Sequence, residues 1–87
     1  MDRALESVYL SSCAIIGAWA FAFCHKLTTF EASKCLFVRP GAFSGDTGLP
    51  SVSFPICTTI ESCAFSSCTS LENVYAPLCS IIGSSAF

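Results

Sequence analysis

Ser66-Ser67-Cys68-Thr69-Ser70-Leu71-Glu72-Asn73-Val74-Tyr75-Ala76-Pro77-Leu78-Cys79-Ser80-Ile81-Ile82-Gly83-Ser84-Ser85-Ala86-Phe87 is the stretch that decides the fold, because its apolar positions have already occurred upstream at a fixed offset of 22 residues. Leu71 follows Leu49, Leu27 and Leu5 at that step, and Cys79 follows Cys57, Cys35 and Cys13. Ala86-Phe87 follows Ala64-Phe65, Ala42-Phe43 and Ala20-Phe21 in the same way, and no gap is needed to hold the register. A fixed period in the twenties is the mark of a solenoid, in which each repeat is too small to bury its own apolar face and does so against its neighbours.

The composition fits that reading. Of 87 residues 53% are hydrophobic and only 11% charged, a high demand for burial in so short a chain. The net charge is −2, and Arg3, Lys26, Lys34 and Arg39 stand singly, so no basic stripe offers itself to nucleic acid or to an anionic membrane. The most apolar run, Cys13 to Phe23, is shorter than the roughly 20 residues of a bilayer span. It has the look of a signal-peptide core, but Met1 to Glu6 is not a net positive leader, and the run sits in register with its later copies. Membrane insertion is therefore not expected, and no lipidation tail is visible.

Turn one is assigned to residues 5–26, turn two to 27–48, turn three to 49–70 and an incomplete turn four to 71–87, with residues 1–4 an N-terminal stub. Each turn opens with a leucine, then alternates apolar and polar residues at Val8-Tyr9-Leu10 and its copies, the period-2 pattern of a strand with one buried face. So short a strand must pair with its copy in the next turn, giving a parallel ladder. Pro55 and Pro77 follow two of these strands and end the pairing, having no N–H to donate. About ten residues remain for the return path, room for turns and a short 3₁₀ segment. Phe21, Phe43, Phe65 and Phe87 are expected to stack as a spine, with Ala20, Ala42, Ala64 and Ala86 small so that adjacent turns can close up.

Six of the seven cysteines, Cys13, Cys24, Cys35, Cys57, Cys68 and Cys79, fall on a series with a step of 11, and Asp46 takes its one vacant place. Without a Cys-x-x-Cys or a Cys/His pair at ligand spacing, a zinc site is not expected. Disulfides between adjacent turns are geometrically conceivable, but the odd cysteine number and the regular ladder favour Cys13, Cys35, Cys57 and Cys79 as reduced thiols, each donating to a carbonyl of the neighbouring turn. Turn two departs most from the pattern, with Arg39-Pro40-Gly41 and Asp46, and a bulge or another local feature is expected on its convex side.

The pattern Leu-x-x-Leu-x-Leu-x-x-Asn/Cys is that of the leucine-rich repeat, here with cysteine in place of asparagine. The continuation Ile60-Glu61-Ser62-Cys63-Ala64-Phe65-Ser66-Ser67-Cys68-Thr69-Ser70-Leu71 resembles the BspA-like class of that repeat, over residues 5 to 87. The resemblance implies an α/β leucine-rich repeat right-handed solenoid, with short parallel strands on its concave face and loop or 3₁₀ segments on its convex face. It also implies a non-enzymatic module for protein binding or adhesion in a cell-surface or secreted protein. The competing reading is a structural spacer, a slice of a longer solenoid without a ligand of its own.

No cofactor is implied, since there is no phosphate-binding glycine loop, and no serine stands in a nucleophile elbow. His25 is the sole histidine and shares its repeat position with Thr47 and Thr69, a solvated loop position. No catalytic or metal-ligating set emerges, and an enzyme is not expected. What remains is surface. Tyr9, Glu31, Ser53 and Tyr75 are the outward residues of the four strands, with Ser7, Thr29, Ser51 and Asn73 two positions earlier. They form a two-column patch suited to a protein ligand. Strand edges without partners at the ends also allow end-to-end self-association.

Overall fold

The computed structural model describes residues 5–87, so the stub at 1–4 lies outside the described residues. Eight strands follow one another: β1 (Ser7–Leu10), β2 (Ile15–Ile16), β3 (Thr29–Ala32), β4 (Phe37–Val38), β5 (Ser51–Ser53), β6 (Thr59–Ile60), β7 (Asn73–Tyr75) and β8 (Ile81–Ile82). They form two parallel sheets, β1-β3-β5-β7 and β2-β4-β6-β8. The register advances by the sequence period at every rung: Val8 faces Phe30, Glu31 faces Ser53, and Val52 faces Val74. Ile16, Val38, Ile60 and Ile82 stand opposite one another on the short sheet. The chain is thus a parallel-strand solenoid, as the repeat requires.

The short sheet was not expected from the sequence, where a two-residue strand leaves no alternation to detect. No helix occurs among the described residues, and the return path is a chain of turns. Those turns carry the i to i+3 hydrogen bonds of 3₁₀ geometry, such as Ala22 N–H to the Trp19 carbonyl at 3.2 Å and Ala42 N–H to that of Arg39 at 3.3 Å. They never run on into a helix, because the return path bonds across turns as well. The N–H groups of Phe21, Phe43 and Phe65 donate to the carbonyls of Ala42, Ala64 and Ala86 at 2.9, 2.7 and 2.7 Å. Buried backbone groups must find partners, and here the next turn supplies them on every side.

The core is one column of repeated side chains. Leu27, Leu49, Phe30, Val52, Phe54, Val38 and Ile60 are all buried. Phe21, Phe43, Phe65 and Phe87 stack with centroids 5.6, 5.0 and 5.3 Å apart and interplanar angles of 14°, 3° and 4°. Phe30 meets Phe43 edge-on at 4.6 Å, so the spine is locked against the long sheet. Ala42, Ala64 and Ala86 are buried beside it, whereas Ala20, in turn one, is exposed.

Turn two does not bulge. It bonds to turn one through Phe23 N–H to the Ser44 carbonyl at 2.8 Å, and to turn three through Gly45 N–H to that of Ser66 at 2.8 Å. Turns one to three use a left-handed residue at two places on the return path, and turn four at the first of them. The first is Trp19, Gly41, Cys63 and Ser85 (φ 59°, 67°, 57° and 56°); the second is Phe23, Gly45 and Ser67 (φ 60°, 78° and 61°). Only turn two fills both with glycine, the residue that adopts this conformation without steric cost. The glycines also admit turn one's aromatics: a Cβ on Gly41 would lie 2.6 Å from the Trp19 ring, and one on Gly45 2.6 Å from Phe23. What reads in the sequence as irregularity is the turn best matched to the shared backbone.

Candidate functional site

Strand pleating sends alternate side chains of the long sheet outward, and the strict register sets the outward ones side by side. Tyr9 faces Glu31, Glu31 faces Ser53, and Ser53 faces Tyr75 on successive strands. Tyr9 and Tyr75 are 66% and 59% exposed, Glu31 is exposed, and the small Ser53 is half-buried between its taller neighbours. Ser7, Thr29, Ser51 and Asn73 make the second column.

The two columns do not form a flat face. Ser51 and Ser53 are short, so a groove of about 320 Å³ opens over β5. Thr29 and Glu31 line one side of it, and Asn73 and Tyr75 the other. Tyr9 lies one strand beyond and does not line the groove. Thr28, whose hydroxyl donates to the Glu6 carbonyl at 3.4 Å, also lines it; it precedes the strand and gave no sign of this in the sequence.

A second surface escaped the sequence reading. On the short sheet Ile15, Phe37 and Ile81 point outward and are exposed, with Thr59 between the last two. The doublets Ile15-Ile16 and Ile81-Ile82 carry the signal, since only one isoleucine of each pair can face the core of a pleated strand. A further opening of about 320 Å³ lies beside Phe87 and Leu71, where the apolar interior of turn four meets solvent.

The remaining reactive side chains are placed for structure. Cys13, Cys35, Cys57 and Cys79 donate to the carbonyls of Ile15, Phe37, Thr59 and Ile81 at 3.1, 3.5, 3.4 and 3.5 Å. These bonds stay within their own turn, and the Cys35 and Cys57 thiols also interact with the backbone of Ile16 and Val38 in the preceding turn, so the expected cross-turn contact is present beside a local bond the sequence did not suggest. Burial, with the Cys57 and Cys13 thiols close by, pushes Cys35 up to about 12, and burial pushes Cys68 up to about 11. Such thiols are poor nucleophiles at neutral pH. His25 is exposed, its Nδ1 3.2 Å from the Thr47 hydroxyl. Among the described residues no group of three or more His, Cys, Asp or Glu side chains could hold a metal ion, and no helix is long and apolar enough to cross a membrane.

Asp46 is the exception in kind. It is fully buried, its Oδ1 accepts the Cys24 N–H at 2.8 Å, and its Oδ2 has no hydrogen-bond partner. Burial raises its pKa from 3.8 to about 7 against the opposing pull of that single N–H.

Compared with protein families, the chain matches the BspA type leucine rich repeat region in six copies across residues 2–87. Comparison with curated proteins and with solved structures gave no match.

Proposed function

We propose that this chain, which belongs to the BspA-type leucine-rich repeat family, is a non-enzymatic module that binds protein ligands through the outward face of its long sheet, within a surface or secreted protein that uses it for adhesion. The family generally mediates protein–protein interaction, and its repeat fold is typically non-enzymatic. The observation that carries the reading is the groove over Ser51 and Ser53, overlooked by Tyr75 and continued by the exposed Tyr9. Tyrosine brings a large apolar area and a polar tip at little conformational cost, the property that enriches it in interfaces. Tyr9, Glu31, Ser53 and Tyr75 are the residues assigned to contact.

Beads coated with the chain, passed over wells coated with serum and matrix proteins, test this. Retention should fall at least about tenfold on replacing both tyrosines (Tyr9→Ala with Tyr75→Ala), since losses near 1.4 kcal/mol are tenfold and interface aromatics often exceed that. Both side chains are exposed, so the thermal midpoint should hold. Equal retention by the double variant would reject the face and favour the spacer reading.

A further inference from the structure

The groove over β5 has walls of different chemistry. On one side stands the carboxylate of Glu31, which among the described residues has neither ion-pair nor hydrogen-bond partner. On the other stands the Tyr75 ring, 59% exposed. Parallel strands are about 4.8 Å apart, so Glu31 and Tyr75, two strands apart, leave a gap of about 10 Å bridged by Ser53. That is the width of one extended side chain with room for contact on either side.

The strands of the long sheet carry charge of one sign. Across the four long strands and the residue flanking each at either end, the charged residues are Glu6, Glu31 and Glu72, with no lysine or arginine. Arg39 is engaged with Glu61 at 3.0 Å and lies just past the short strand β4, off the long sheet. Of the three carboxylates Glu31 alone lines this groove, across from the Tyr75 ring.

We propose that this groove is a pocket for a basic side chain, arginine above lysine, presented by an extended segment of the partner protein. This rests on the protein-binding reading and assigns it a ligand chemistry. A guanidinium is planar: it donates two parallel N–H bonds to a carboxylate while its face lies on an aromatic ring. Ser53 and Ser51 on the floor offer hydroxyl acceptors, and Asn73 a carbonyl, for the remaining N–H groups. Lysine satisfies the charge but neither the fork nor the stacking.

The test uses amide chemical shifts of the ¹⁵N-labelled chain at low ionic strength, titrated with acetyl-Gly-Arg-Gly-amide, its lysine counterpart and its uncharged citrulline analogue. The proposal requires saturable shifts at Ser51 to Ser53 and Asn73 to Tyr75 with the arginine peptide, weaker binding with lysine, and none with citrulline. Glu31→Gln should weaken arginine binding at least about fivefold, while Glu72→Gln, off the groove walls, leaves it within about twofold. Equal shifts with citrulline, shifts spread over every carboxylate, or an unaffected Glu31→Gln variant would overturn it. The bead assay separates the two claims. Loss of retention in the tyrosine double variant, together with full retention in Glu31→Gln, would remove the arginine pocket and leave the binding face standing.

Discussion

Asp46 stands where the neighbouring turns carry Cys24 and Cys68, and its buried carboxyl group makes folding depend on pH. Its pKa is about 7 in the folded chain and near 3.8 when exposed, so between those values the folded state holds the proton more tightly. Stability contributed by this group is therefore greatest below about pH 4 and declines as pH rises towards 7. Asp46→Asn keeps an oxygen for the Cys24 N–H and cannot ionise. It should raise stability at pH 8 by up to about 4 kcal/mol and change it little at pH 4, in denaturant titrations run at both pH values. A gain of equal size at both would show that charge is not the cause. Backbone conformation gives a second prediction at this scale. Ser67 adopts φ 61° where Gly45 serves in turn two. Ser67→Gly should stabilise by up to about 1 kcal/mol and Gly41→Ala should destabilise by more than that, because its Cβ would enter the Trp19 ring. Calorimetric melts of the two variants check both signs.

At the scale of the element, the phenylalanine stack holds the return path to the sheets. Phe43 is fully buried between Phe21 and Phe65, whereas Phe87 is 56% exposed and touches the stack on one face. Phe43→Ala should cost about 3–5 kcal/mol, a large share of the total stability of a chain this size. Phe87→Ala should cost less than half of that, and comparable losses measured by denaturation would mean the stack is not the column seen here. The stack, the long sheet and the four outward residues were legible because their signals repeat: a phenylalanine or a leucine returning every 22 residues needs no structure to be noticed. The short sheet was not legible, since Ile15–Ile16 and Thr59–Ile60 are too brief to show alternation. Turn two misled for a different reason: glycine and proline announce a break in most sequences, and here Gly41 and Gly45 fit a left-handed conformation every turn adopts. In the site, the patch could be read from register alone. The groove could not, because it depends on the difference in height between Ser53 and its neighbours Glu31 and Tyr75.

In the whole molecule one turn, repeated, is the unit of structure. Two strand ladders pair residues with their equivalents one turn away, and the return-path bonds join each turn to the residue before the equivalent in the next, within a body of 30 × 27 × 22 Å. The binding face is a consequence of that stacking, since Tyr9, Glu31, Ser53 and Tyr75 are neighbours only if the register holds. Stability in such an array comes from interfaces between neighbours, so the middle turns are the best protected. Native-state hydrogen exchange measures this amide by amide. Slow exchange should recur at intervals of 22 residues on all three ladders, with Val38, Phe43 and Val52 among the slowest. Protection confined to the long sheet, or lacking that period on the return path, would contradict the solenoid and with it the face built upon it.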